Sequence, residues 1–375
     1  MASPTETYVD PSIAGDSGTG TIGDPYGDLQ YALNQVTRDG TNGDRFNVKA
    51  GTSEVLAAVL SYATYGTSDF DGPMIVEGYT AAAGDGGLFV IDANGGAAFP
   101  SAQGVSIING RVHNGGSSDL ITLSHDCLVQ NVEIDDTTGD GIVASTSARA
   151  ALVVVCNIHN IGGYGVTGSV IVRHSYFKNG TNDFTSAIRL NATNTSGSNG
   201  TAVGNIISID GASNGIEVAG FSILVEKNSV LSSSGTGAGV LLSSVPIGTT
   251  ILSNLAEGFS GAGGDGFDLN VTNRYQYIAG NNGAYNNTTD YDIQGEFMAE
   301  EADNESLGAS PFDKSGSDTF ANRFIYFAPV DTGNAHGGAY PSGNRWDKGA
   351  VQHADPAGGA SSVLGGGNLS GGFVA

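Results

Sequence analysis

Between Val105 and Gln294 short apolar runs alternate with polar turns at an interval too long for a helical face. An apolar residue preceded by Gly or another small residue returns at Ile142, Val166, Ile188, Ile216, Val240 and Phe267, at spacings of 24, 22, 28, 24 and 27 residues. A second signal, a short apolar run ending at or near Asn, precedes several of them, at Asn131, Asn205, Asn228 and Asn254. The runs are rich in Val and Ile and are bounded by Gly, Ser, Asn, Asp and Thr, which reads as strands and turns. A period in the twenties that tolerates insertions is the mark of a solenoid, each repeat stacking on the last. The pattern predicts an all-β chain of about seven to eight coils of three parallel strands, with the six apolar residues stacked inward in one row.

One segment departs from this pattern. Asp28 precedes Leu29, Ala32, Leu33 and Val36, an i, i+3, i+4, i+7 stripe with an N-cap residue in front. It predicts a short amphipathic helix whose apolar face covers the open end of the solenoid. Phe46 and Val48 then alternate as a strand. The organisation expected is a lead-in and cap over 1–51, coils over 52–295, a closing region over 296–353 and a flexible tail over 354–375. The closing region holds acidic loops, an aromatic run at Phe324–Phe327 and the single Trp346. The tail is Gly-rich and nearly uncharged, too poor in apolar residues to bury a core of its own. Val363, Leu364, Leu369, Phe373 and Val374 are its scattered apolar anchors and the expected partner-binding residues.

Several of these stretches resemble a known group. Tyr8-Val9-Asp10-Pro11, Gly15-Asp16, Leu29-Gln30-Tyr31-Ala32-Leu33, Gly43-Asp44 and Val48-Lys49-Ala50-Gly51 are similar to the opening of right-handed parallel β-helix proteins of the pectin-lyase-like superfamily. Asp347-Lys348-Gly349-Ala350-Val351 resembles their closing signature. The resemblance, over about residues 8–352, implies a right-handed three-sided parallel β-helix with a short N-terminal capping helix. It does not fix an activity, because the superfamily includes lyases, hydrolases, epimerases, phage tailspikes and non-enzymatic virion proteins.

Charge narrows the partners. Lys and Arg total 14 against 38 Asp and Glu, a net charge of −24, with no basic cluster, which argues against nucleic acid and anionic membranes. Carboxylates and loop carbonyls are Ca²⁺ donors, yet no EF-hand or nonapeptide array is present, so the expectation is no cofactor, with Ca²⁺ unsupported by a motif. Cys127 and Cys156 lie in successive coils in apolar context and have no metal-ligand spacing.

Candidate chemistry is sparse. Asp135-Asp136, with Asp140, is the best acidic group for a two-carboxylate hydrolase, but the Gly-His-Gly and Arg-x-Lys elements of polygalacturonases are absent and the same run is ordinary turn composition. Arg173 and His174, one coil before Arg189, and Asp135, Asp136 and Asp210 on nearby coils are close enough in coil number to form a lyase-like lateral cluster. His113, His125, His159 and His174 fall on successive coils without a zinc spacing. Tyr275, Tyr277, Tyr285 and Tyr291 can stack on sugars or pack on the last coil. The first residues hold no basic, apolar leader.

The reading that joins these points is a β-helix virion surface protein, a capsid decoration protein or tail-associated spike, made in a host cytoplasm. By resemblance it forms a homo-oligomer, a trimer, attached to capsid or tail proteins. The alternatives are an extracellular or tailspike polysaccharide lyase or glycosidase, and a module binding cell-surface glycans.

Overall fold

The computed structural model describes residues 4–318 apart from 16, 38, 63–71, 147, 149–150, 194–198, 244–246, 271–276, 294–299 and scattered positions between 303 and 317. Trp346, the closing signature and the tail anchors Val363, Leu364, Leu369, Phe373 and Val374 lie outside the described residues. The chain divides into two compact units. The first comprises 1–171, 180–184 and 195–198; the second comprises 172–179, 185–194 and 199–375.

In the first unit, parallel pairing begins before residue 51. Thr5–Val9 pairs with Asp44–Lys49, that strand with Met74–Tyr79, and Met74–Tyr79 with Val105–Gly116. Val105–Gly116 is one strand with a corner inside it: Asn109 sits at φ 56°, so the chain bends and Phe89–Asp92 pairs beyond the corner. Later coils break into three strands, as in Leu152–Val154, Asn157–Ile161 and Tyr164–Gly168.

The second unit repeats the plan. Ile223–Glu226, Ser229–Ser232 and Ala238–Leu242 make one coil, Thr249–Leu252, Leu255–Glu257 and Asp265–Asp268 the next. Each strand pairs in parallel with its counterpart one coil on. The pairing runs past residue 295, where Glu300–Ala302 lies on Tyr277–Gly280 and Glu305–Ser306 on Gly283–Tyr285. Both units are built as a right-handed, three-sided parallel β-helix.

The inward row follows the sequence period. In the first unit Phe99, Ile121, Ile142 and Val166 stand beside one another in register. In the second, Ile188, Ile216, Val240, Phe267 and Tyr291 do the same, and the Phe267 and Tyr291 rings stack with centroids 5.1 Å apart. All six residues picked out by periodicity are fully buried. At Gly141, Gly215, Gly239 and Gly266 the small residue has a steric cause. At Gly239 an added Cβ would lie 2.6 Å from the Gly266 carbonyl oxygen and 2.7 Å from the Ala256 Cβ, so backbone and core close over that strand position.

A second row is polar. Asn205, Asn228, Asn254 and Asn282 are buried at one corner, each following a residue of positive φ (Gly204, Lys227, Ser253, Asn281). Each side-chain amide donates to the next Asn Oδ1, at 2.9, 2.9, 3.0 and 2.9 Å through Asn304. Each Oδ1 also accepts the backbone N–H of the preceding row member, from Asn205 onward at 3.0 Å. The corner needs a left-handed residue, and the amides it turns inward would be orphans without this row. Asn131 is not a member. It occupies the left-handed position itself, φ 53°, and donates to Asn109 Oδ1 at 2.9 Å, while Val132 takes the buried place. Asn tolerates that backbone better than other L-residues.

The helix forms over Leu29–Gln35 and packs on the strands Thr5–Val9 and Asp44–Lys49. Asp28 caps it by accepting the Tyr31 N–H at 2.6 Å, a contact worth about 0.5–2 kcal/mol. Leu29, Ala32 and Leu33 are buried, but Val36 is only half-buried. Val36 is the extended C-cap residue, so the apolar stripe ends a turn earlier than its spacing implies. No described helix is long and apolar enough to cross a membrane.

Candidate functional site

Three adjacent strands of the first unit, Val105–Gly116, Leu128–Thr137 and Asn157–Ile161, place polar side chains on one lateral face. Alternation along a strand turns Val112, Ile134 and Ile158 inward, which leaves positions 111 and 113, 133 and 135, and 157 and 159 outward. Register sets Arg111 beside Glu133 and Glu133 beside Asn157; it sets His113 beside Asp135 and Asp135 beside His159. Residues about one coil apart in sequence thus become neighbours about 4.8 Å apart along the backbone ladder.

The charges in this group are paired. Arg111 forks onto Asp135, Nε to Oδ1 at 2.8 Å and Nη2 to Oδ2 at 2.6 Å. His159 Nε2 lies 2.9 Å from Glu133 Oε1. Ligand atoms of Glu133, Asp135 and His159 all fall within 4.8 Å of one another. The His159 hydrogen bond holds the Glu133 carboxyl below the usual range, against partial burial and helped by the charges of Arg111, His159 and His113. A general acid must keep its proton near neutral pH, and Glu133 is shifted the other way.

Asp135 is therefore no turn residue. Its composition, Asp-Asp followed by Thr-Thr-Gly-Asp, suggests a surface turn, but the strand continues to Thr137 and Asp135 is 4% exposed on Arg111. Asp136, in the same strand, is its exposed left-handed residue, at φ 62°, and accepts the Asn160 amide at 3.2 Å. Asp140 faces the next corner, where Oδ1 accepts the Tyr164 N–H at 2.8 Å. The three do not form a catalytic carboxylate pair. Ca²⁺ does not suit the Glu133 group either, because it takes six to eight oxygen ligands, and here one donor is an imidazole and the buried carboxylate is held by a guanidinium.

The lyase-like cluster also disperses. In the second unit Arg189 and Ser243 meet Glu217, Arg189 Nε and Ser243 Oγ reaching Oε1 at 3.2 and 2.7 Å, and Ser186 Oγ donates to Oε2 at 2.9 Å. Asp210 accepts the Ser233 N–H at 2.8 Å in a turn, and Arg173 is exposed. His174 sits at a corner with φ 51°, and burial lowers its pKa. The four histidines do not form a ladder: His113 and His159 flank Asp135 two coils apart, and His125 and His174 stand at corners. Tyr277 is buried, Tyr291 packs on Phe267 and donates to the Asn282 carbonyl at 2.8 Å, and Tyr275 is outside the described residues. Cys127 and Cys156 are buried; their thiols donate to the His125 carbonyl at 3.2 Å and the Val129 carbonyl at 3.5 Å.

Sequence reasoning misses a group in the second unit. Asp268 stands laterally beside Asp292, with Asp265 on the same strand as Asp268. Burial raises Asp265 and Asp268, and nearby carboxylates add to it. Asn270 ties the row, its N–H on Asp268 Oδ1 and its amide on Asp292 Oδ2, both at 3.1 Å. The clue available was the 24-residue spacing of Asp268 and Asp292, one coil, directly after the inward Phe267 and Tyr291.

Known proteins match this chain by structure. No family model matches it, and no curated protein does. The pectate lyase Pel9A superposes with TM-score 0.52 at 14% identity, over 94% of this chain and 98% of that one. PfbA, a surface adhesin of Streptococcus pneumoniae, gives 0.46 at 9% identity, over 80% of this chain and 90% of the other. The GH136 lacto-N-biosidase from Eubacterium ramulus gives 0.41 at 13%, over 81% and 68%. The Pel9A match establishes a shared parallel β-helix fold. At that identity it establishes no shared chemistry.

Proposed function

We propose that this chain is a non-enzymatic β-helix scaffold for display on a particle surface, a virion decoration protein or tail-associated spike. The observation that supports it is the use made of lateral charges. Arg45 with Glu77, Arg111 with Asp135, His159 with Glu133 and Arg189 with Glu217 each bridge neighbouring coils, at 2.6–3.2 Å. These lateral side chains brace one coil against the next. On this reading the chain assembles as a homo-oligomer, a trimer, and Val363, Leu364, Leu369, Phe373 and Val374 contact a sister subunit or a capsid or tail protein. Mass spectrometry of purified virions should find the chain in stoichiometric amount; its absence from particles would sink the virion assignment.

A polysaccharide-cleaving enzyme is the second reading, favoured by Asp268 with its raised carboxyl beside Asp292. Glycoside hydrolysis uses two carboxyl groups on either side of the scissile bond, and a raised one suits the acid role. Acidic and neutral polysaccharides should give no new reducing ends and no unsaturated product with the wild-type chain. Cleavage that disappears in Asp268→Asn or Asp292→Asn would replace the scaffold reading with the enzyme one.

A further inference from the structure

We infer that Glu133, Asp135 and His159 form a binding site for a transition-metal dication of the zinc class, with His113 next in the row. The donors come from adjacent strands whose register is fixed by the backbone ladder, so the group is positioned before any ion arrives. Their ligand atoms lie within 4.8 Å of one another, and the His159–Glu133 pair is at 2.9 Å. Zinc bonds of about 2.0–2.2 Å to nitrogen and oxygen put tetrahedral ligands about 3.4 Å apart. The closest pair must therefore open by about half an ångström, and no pair has to close by more than about 1.4 Å. Rotation of the Glu133 and His159 side chains, 40% and 30% exposed, supplies that movement while Asp135 stays fixed. One imidazole with two carboxylates selects zinc, cobalt or nickel over Ca²⁺ or Mg²⁺. The local charge favours a cation: two carboxylates face one guanidinium, in a chain of net charge −24. Arg111 is the competitor, since it holds both oxygens of Asp135 and leaves only their outer lone pairs.

The test is calorimetric titration of the full chain with Zn²⁺. One ion per chain should bind with micromolar affinity and resist a hundredfold excess of Ca²⁺. His159→Ala and Glu133→Gln should each weaken it at least tenfold, and Arg111→Gln should tighten it. Diethyl pyrocarbonate labelling of the wild-type chain gives a readout that needs no variant: Zn²⁺ should protect His159 from modification, read by peptide mass spectrometry. No Zn²⁺ binding, undiminished binding in both ligand variants, displacement by Ca²⁺, or unprotected His159 would each overturn the assignment.

Discussion

Asn254→Ala is the sharpest probe of how the second unit is held together. Asn254 is fully buried, and its side chain makes five hydrogen bonds of 2.9–3.1 Å. Truncation does not affect them equally. The Asn228 amide keeps the carbonyls of Ala202 and Glu226, and Asn282 Oδ1 keeps the Asn254 N–H. The buried N–H of Asn228 loses the partner described for it here, whereas Val225 stays in the ladder with Thr249–Leu252. That orphan costs about 1–3 kcal/mol and each of the two lost Asn–Asn links about 0.5–1.5 kcal/mol, so the variant should lose about 2–6 kcal/mol, a large part of the 5–15 kcal/mol typical of a folded protein. Asn131→Ala is the control, since it removes one part-buried contact and puts Ala at φ 53°, for about 1–2 kcal/mol. Urea unfolding followed by far-ultraviolet circular dichroism compares the two directly. Asn254→Asp should be about as harmful as Ala, because a carboxylate cannot donate to Asn282. The Asn228→Ala/Asn254→Ala double variant should cost less than the sum, since the link between them can be lost only once. If Asn254→Ala were no worse than Asn131→Ala, the row would be ornament and the corner held by apolar packing alone.

Three further outcomes follow from particular side chains. Glu54 is buried, accepts the Leu29 N–H at 3.2 Å, and is pushed up to about 8 by burial and by the Asp28 charge. Its folded pKa lies above the ordinary 4.5, so its protonated form stabilises fully below pH 4.5 and that contribution is lost as pH rises towards 8. The loss has a limiting slope of about 1.4 kcal/mol per pH unit; Glu54→Gln should flatten the melting-temperature profile across this window, and an unchanged profile would refute the shift. Asp135→Asn should cost about 1–3 kcal/mol in urea unfolding by undoing the Arg111 fork, whereas Asp136→Asn should stay within about 0.5 kcal/mol; equal effects would return Asp135 to the turn. Gly239→Ala should destabilise by about 1–3 kcal/mol through overpacking, and a neutral result would show that the strand position has room.

The inward row and the capping helix could be read from sequence because each depends on local periodicity that packing merely completes. Ile216 and Val240 must face inward wherever their coils sit. The Asn signal was read one residue out of register at Asn131, since an apolar run ending in Asn looks the same whether the Asn makes the corner or fills it. Asp135 was hidden for a different reason. Its partner Arg111 is 24 residues away, and only the strand register shows that the two meet. Glu54 and Asp268 carry no local mark at all, because what shifts them is burial supplied by distant segments.

The asparagine row also has a direction. Within the row every amide nitrogen donates to the Asn of the later coil and every side-chain oxygen accepts from the Asn of the earlier one, over steps of 23, 26, 28 and 22 residues. The loops absorb those differences while the corner stays in step. A duplicated coil that brings its own corner Asn would fit at any point of the row, receiving from the coil before and giving to the coil after. A coil that brings Asp or Ala would break the row there. A chain built this way can be lengthened or shortened by whole coils without redesigning the core, provided each added coil brings its corner Asn into step with the row.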